Sequence, residues 1–257
     1  MTRLAVHMFP CLQDNYAFLI HAEGGADAVA IDTPDADAIA AEAARRGLRV
    51  AQVWNTHWHP DHAGGNLALK ASGARITGPV GERIEIPGLD RPARAGDQVS
   101  VDGAHATVIE TPGHTQGHIV YHFPQDRILF VGDTLFALGC GRLFEGSAQD
   151  MWDSLSKLAA LPEDTRVYCA HEYTAANARF ALTVEPDNQA LKARWMEIQE
   201  LRARGLPTVP TTIGAEKQSN PFLRAHLPEV QAAVGMAGAP PAEVFAEIRR
   251  RKDSFRA

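Results

Sequence analysis

A chain of 257 residues, 45% hydrophobic and 22% charged, is long enough for a full core, as one large domain or two of unequal size. Its formal net charge of -6 argues against a nucleic-acid surface, and an anionic ligand would need a local basic patch. Cys11, Cys140 and Cys169 are too few and odd in number for a disulfide framework and fit a reducing, cytoplasmic setting.

The stretch Met1 to Pro10 has neither a long apolar core nor a small-residue cleavage site. It reads as a first strand, with no secretory signal or membrane span apparent. Ala28–Ile31 is an apolar run ending at Asp32, Ala36 to Arg46 reads as a helix, and Val50–Trp54 reads as a buried strand. That strand leads into Thr56-His57-Trp58-His59-Pro60-Asp61-His62-Ala63-Gly64-Gly65-Asn66, which sets three histidines and an aspartate within six residues. Neutral imidazole and ionised carboxylate are ligands that Zn²⁺, Fe and Mn accept. Four donors are too many for one ion that must keep a position open for water, so His57 and His59 can serve one metal while Asp61 and His62 serve another. A single structural zinc fits poorly, because such sites lean on cysteine and this segment has none.

Three further donors sit in matching settings. His114 follows the strand-like Ala106–Ile109, Asp133 follows Ile128–Val131, and His171 follows Val167–Ala170. A layered α/β fold collects a site along one edge of its sheets in this way, from loops far apart in sequence. Met151 to Leu161 reads as a helix between them. After His171 the strand signals fade: 190–201 carries Leu191, Trp195, Ile198 and Leu201 at helical spacing, and Ala242 to Phe255, opened by Pro240 and Pro241, is another helix. Pro207–Gly214 between them is expected as an extended crossover.

The donors His57, His59, Asp61, His62, His114, Asp133 and His171, in that order, resemble the metallo-β-lactamase superfamily. Within it the chain resembles the glyoxalase II (hydroxyacylglutathione hydrolase) family over essentially its whole length. The resemblance implies a four-layer αββα sandwich over residues 1–171 and a smaller all-helical, substrate-binding domain over 172–257. It implies two divalent metals per chain, Zn²⁺ with Fe or Mn as the other options: His57, His59 and His114 on the first, Asp61, His62 and His171 on the second, Asp133 bridging. Asp61 and Asp133 are then the catalytic carboxylates. Two cations ~3.5–4 Å apart can bring a shared water from pKa ~15.7 to roughly 7 and polarise a carbonyl, so a hydroxide nucleophile exists at neutral pH. A thiolate, whose parent thiol has a pKa of about 8.5, leaves with little acid assistance, so a thioester suits such a site better than an amide.

Gly139-Cys140-Gly141-Arg142-Leu143-Phe144-Glu145-Gly146 resembles the family's substrate loop, His171-Glu172-Tyr173-Thr174 its last ligand motif, and Asn220-Pro221-Phe222-Leu223-Arg224 a marker of its C-terminal domain. The resemblance places Arg142 and Tyr173 on glutathione, and Arg249 and Lys252 on its glycine carboxylate. Three apart on a helix, those two share a side; taken alone the run reads more plainly as a helix C-terminus dressed with cations, and the upstream motifs turn the reading to the substrate role. Phe144 departs from the family's common tyrosine, which removes one hydroxyl contact worth about 0.5–1.5 kcal/mol. The expected substrate is S-D-lactoylglutathione, hydrolysed by a soluble monomer with no nucleic-acid or membrane partner. Other readings are a lactonase or β-lactamase on the same scaffold, a persulfide dioxygenase, or an RNA-processing or pure binding role. Cys140 lacks a histidine-based dyad and is not read as a nucleophile. His7, His21, His105, His122 and His226 lack partners at ligand spacing and read as surface or core polar residues. His118 reads as a structural neighbour of the metal shell, and Asp32 either orients a ligand histidine or caps a turn.

Overall fold

The computed structural model describes residues 3–256; Met1 and Thr2, the first two residues of the expected opening strand, lie outside them. Leu4–Cys11 (β1) and Asn15–Ala22 (β2) form an antiparallel hairpin, and Asp27–Ile31 (β3) adds to β2 antiparallel. Asp35 caps the helix Ala36–Arg45 (α1) by accepting from Ala38 N. Arg49–Trp54 (β4) returns parallel to β3. The short helices Pro60–Ala63 (α2) and Asn66–Ala71 (α3) precede Arg75–Pro79 (β5) and Arg91–Ala93 (β6), both parallel additions, so the sheet runs β1-β2-β3-β4-β5-β6.

One face of this sheet buries Leu19, Ala28, Ala30 and Val53 against Ile39 and Ala43 of α1 and Leu69 of α3. The other face meets a second layer, the antiparallel meander Gln98–Val101 (β7), Ala104–Glu110 (β8), Ile119–Phe123 (β9) and Ile128–Gly132 (β10). Aromatic rings fill the space between the sheets: Phe18 meets Phe130 at 5.4 Å, and Trp54 meets Tyr121 at 5.3 Å. Because β3 and β4 are parallel neighbours, Asp32 and the histidine segment leave the sheet at the same edge. These elements form one compact unit, residues up to Glu110 with Thr115–Gly132.

Thr111–His114 and the chain from Asp133 onward form a second compact unit. Leu135–Phe136 (β11) and Gly139–Cys140 (β12) make a small hairpin, and Ser147 and Asp150 build a capping box on Ala148–Ala159 (α4). Arg166–Cys169 (β13) pairs with Thr211–Thr212 (β14). The remainder is helical: Thr174–Val184 (α5), Gln189–Ala203 (α6), Ile213–Ser219 (α7), Pro228–Ala233 (α8) and Pro241–Ser254 (α9). The expected crossover over 207–214 is extended only to Thr212. The Thr212 hydroxyl accepts from Ala215 N and starts α7 at Ile213, an N-cap signal the Pro and Thr content masked.

The Asn220 motif pins the β11–β12 hairpin. Asn220 Nδ2 donates to the Phe136 and Gly139 carbonyls at 3.3 and 3.0 Å and to Glu216 Oε2 at 2.9 Å. Glu216, wholly buried, accepts from Leu138 N and the Thr211 hydroxyl, both at 2.7 Å. Asn220→Ala strands buried acceptors at ~1–3 kcal/mol each, so a loss of about 2–5 kcal/mol is expected in urea unfolding. A variant within about 0.5 kcal/mol of wild type would refute this role.

Candidate active site

In the first unit, the histidine segment is tied down by its own backbone. The His62 carbonyl accepts from Thr33 N at 2.7 Å and from Asn55 Nδ2 at 2.8 Å, and Asn66 links Asn55 to Thr33. Asp32, with φ 58°, takes Thr56 N at 2.7 Å on Oδ1, and the Thr56 hydroxyl at 2.8 Å and His62 Nδ1 at 2.9 Å on Oδ2. The proton on His62 Nδ1 therefore points at a carboxylate, which puts the lone pair on Nε2. The Thr56 hydroxyl, its proton given to Asp32, accepts from His57 Nδ1 at 3.0 Å, and His57 likewise carries its lone pair on Nε2. Asp32 thus orients two of the expected ligand histidines, His62 directly and His57 through Thr56. His118 is buried and stacks on His57 with ring centroids 4.9 Å apart, which fixes that ring's tilt.

Spacings between donor atoms fit a metal shell. His57 Nε2 and His59 Nδ1 are 3.0 Å apart, and His62 Nε2 and Asp61 Oδ2 are 3.4 Å apart. Ligands at ~2.0–2.1 Å from one ion are separated by about 2.9–3.4 Å, a range both pairs fall in, and the His57–His59 contact is also of ordinary hydrogen-bond length. Asn15 steadies the Asp61 carboxylate from Nδ2 at 3.1 Å. Sequence reading passed over Asn15, since nothing in its strand context distinguishes it; the sheet register brings it there.

The second unit repeats the arrangement around Asp133. Its Oδ2 lies 3.4 Å from His114 Nε2 and its Oδ1 lies 3.4 Å from His171 Nε2, one carboxylate oxygen to each imidazole. His114 Nδ1 donates to the Arg142 carbonyl at 2.8 Å, so its lone pair is also on Nε2. Gly141 is required by close approach: a Cβ there would run into the Asp133 carbonyl oxygen and crowd His114 Nδ1 at 3.1 Å. Tyr173 stacks flat on His171 at 4.7 Å, and Phe144 meets His114 edge-on at 5.2 Å.

A cavity of about 420 Å³ opens on these groups, lined by His114, Asp133, Cys140, Arg142, Phe144, Tyr173, Arg249 and Lys252, among others. Its size is that of a small-molecule pocket, ~300–1,000 Å³. All five residues expected to bind substrate line it. Arg249 is nearly buried and largely committed: Nη1 donates to the Cys140 carbonyl at 3.1 Å, Nε and Nη2 donate to Asp253 at 3.0 and 2.8 Å, and its plane lies over Phe222. It holds the Gly139–Cys140 strand as well as facing the pocket, and with Nη1 also reaching Cys140 Sγ at 3.9 Å it leaves one of five N–H groups for a ligand. Lys252 Nζ donates to the Ala176 carbonyl at 3.3 Å. Burial, then Arg249, Arg142 and Arg179, bring its ammonium down to about 8. The Arg142 guanidinium is exposed and lies 3.9 Å from Asp253. Burial pushes the Cys140 thiol up to about 11, which keeps it protonated and unsuited to nucleophilic attack.

The described residues include His/Asp groups able to hold a metal ion, and the superfamily supports a divalent metal site in this chain. No helix among them is long and apolar enough to cross a membrane. The family model for the metallo-beta-lactamase superfamily matches residues 14–171, and that for the hydroxyacylglutathione hydrolase C-terminus matches 172–255. The hydroxyacylglutathione hydrolase of Maricaulis maris is 56% identical over 256 residues, 99% of this chain and 100% of that one. Its counterpart in Hyphomonas neptunium is 54% identical over 253 residues, 98% of each chain. Among solved structures, ETHE1 from Myxococcus xanthus shares 25% identity at a TM-score of 0.64, covering 98% of this chain and 100% of that one. The BLEG-1 B3 metallo-beta-lactamase shares the fold at 22% identity and TM-score 0.64, covering 85% of this chain and 99% of that one. The αββα fold with a helical C-terminal region, the seven-donor order and the matched C-terminal segment agree: the chain belongs to the hydroxyacylglutathione hydrolase family of the metallo-β-lactamase superfamily.

Proposed function

We propose that the protein hydrolyses S-(2-hydroxyacyl)glutathione thioesters, chiefly S-D-lactoylglutathione, to the 2-hydroxy acid and glutathione. The observation that carries this reading is the cavity lined by His114 and Asp133 together with Arg142, Tyr173, Arg249 and Lys252. His57, His59 and His114 would hold one metal, Asp61, His62 and His171 the other, with Asp133 between them. Support comes from the donor spacings inside each unit: His57 with His59 and Asp61 with His62 in the first, His114 and His171 with Asp133 in the second. The His/Asp donor set suits Zn²⁺ first, then Fe or Mn. When bound, the pair would supply an acidified water and a Lewis acid toward the thioester carbonyl.

The chain's own residues do the rest. Asp32 and the Arg142 carbonyl hold protons on Nδ1 of their histidines, keeping Nε2 for coordination. Lys252, with the remaining N–H group of Arg249, offers positive charge to a terminal carboxylate, while Tyr173 and Arg142 would flank the peptide portion. Phe144 supplies an apolar face where a hydroxyl contact is absent. Residues 1–171 would carry the metals and 172–257 the substrate grip, in a monomer working in the cytoplasm. A lactonase, a β-lactamase or a persulfide dioxygenase is not favoured, since the C-terminal family match accounts for residues 172–255.

The test is release of D-lactate from S-D-lactoylglutathione by wild type and by Arg249→Ala/Lys252→Ala, with metal content measured on the same samples. Two metals per chain and a double variant that mainly raises KM are expected. A fully metallated wild type that leaves the thioester intact would end the assignment. The Lys252 ammonium adds a pH signature. A carboxylate binds its protonated form, so kcat/KM should fall as pH rises through about 8, towards tenfold per unit. Lys252→Arg, charged throughout, should remove that alkaline limb, and its persistence in the arginine variant would assign it to another group.

A further inference from the structure

His7 on β1 and His21 on β2 are not the isolated polar residues their sequence spacing suggests. In the register of the hairpin His7 lies opposite Leu19 and Ala5 opposite His21, so the two histidines are diagonal neighbours on one face. Their rings stack at 5.1 Å and their Nε2 atoms are 2.9 Å apart. His21 Nδ1 donates to the Ala22 carbonyl at 2.9 Å, which leaves the His21 lone pair on Nε2, pointing at His7. Burial, together with Arg46 and His21, lowers the His7 pKa and favours its neutral, ligand-competent form. Both rings line a surface cavity of about 510 Å³ with Gly24, Gly25, Arg45 and Arg46. Glu42 binds both guanidiniums at 2.7 Å and so reduces their repulsion toward a cation.

We propose that this pair is a second, independent transition-metal site, in which Nε2 of His7 and Nε2 of His21 hold a tetragonal ion of the Cu²⁺ or Ni²⁺ class in adjacent positions. Two nitrogens at ~2.0–2.1 Å and about 90° to one another are separated by about 2.9 Å, while tetrahedral ligands stand about 3.3 Å apart. The 2.9 Å found here is the hydrogen-bond distance of the neutral pair, short enough for both nitrogens to take adjacent positions on one ion with little movement, and imidazole donors bind Cu²⁺ and Ni²⁺ strongly among first-row ions. On binding, the proton that His7 Nε2 shares with His21 is released or moves to His7 Nδ1, and two dative bonds replace one hydrogen bond; no electron is transferred. Water or a small anion completes the shell from the cavity side.

The protein carrying its native metals would be given one equivalent of Cu²⁺ and examined by low-temperature EPR, alongside His7→Ala, His21→Ala and, should alanine unsettle the strand, His7→Gln. A two-nitrogen copper signal in wild type, with at least tenfold weaker copper affinity in each variant and unchanged native metal content and thioester hydrolysis, supports the site. Copper binding at wild-type stoichiometry and affinity in a folded variant, or none in wild type, overturns it. Either failure leaves the catalytic reading untouched, because neither histidine belongs to that machinery.

Discussion

Asp133→Ala is expected to lower kcat/KM for the thioester by at least ~10³-fold and to reduce bound metal from two ions per chain to one or fewer. Two-metal Lewis-acid stabilisation is worth several kcal/mol, and each ~1.4 kcal/mol is tenfold in rate. The two oxygens of Asp133 face two different histidines, His114 and His171, at equal distance. In the proposed bridging arrangement, alanine would remove a ligand from both ions at once, whereas a terminal ligand would be lost from one ion only. The protein around it should survive, because Asp133 follows β10 without being part of a strand and Gly141 contacts its backbone rather than its side chain. Metal analysis and near-UV circular dichroism on one preparation separate loss of ions from loss of fold. A variant that keeps both metals and remains within tenfold of wild type would remove Asp133 from its bridging place.

Which parts of this site could be read in the sequence follows from the physics of each part. The expected metal donors could be picked out in the sequence because each His or Asp follows an apolar, strand-like run. Two of the C-terminal helices, α6 and α9, were legible from spacing: Leu191 and Ile198 of α6 do pack with Ala178 and Ala181 of α5. What holds the donors was not legible. The Arg142 carbonyl orients His114 through a backbone atom, to which a residue's identity is silent. Asn15 reaches Asp61, and Asn220 reaches Phe136 and Gly139, across gaps of 46, 84 and 81 residues that only the folded chain closes. Arg249 read as a ligand grip, yet most of its donors hold Cys140 and Asp253, because the helical spacing that places Arg249 and Lys252 on one side also places Asp253 one turn beyond Arg249. His7 and His21 looked unpartnered because partnership across a hairpin depends on register, which their spacing of 14 does not reveal.

Asp32→Asn should weaken metal retention and thioester hydrolysis together, by about 10–100-fold, the usual effect of losing the carboxylate behind a ligand histidine. Asn matches Asp in volume and tolerates the left-handed backbone that Asp32 adopts at φ 58°, so the fold should be kept. The hydrogen-bond polarity is what changes. Oδ2 accepts two donors, His62 Nδ1 and the Thr56 hydroxyl, while Oδ1 accepts Thr56 N. With its oxygen kept on Thr56 N, asparagine presents N–H groups to the other two. His62 can then satisfy them only by moving its proton to Nε2, which removes the coordinating lone pair. The Thr56 hydroxyl, turned away from the new amide, gives its proton toward His57 Nδ1 and drives His57 into the same wrong tautomer. One substitution so disables two ligands without touching either. Competition with a chelator should strip the variant at correspondingly lower chelator concentration, excess metal should restore kcat with KM unchanged, and Asp32→Ala should lose stability as well, since alanine is disfavoured at positive φ. Wild-type metal retention in Asp32→Asn would show that the histidine tautomers are set elsewhere.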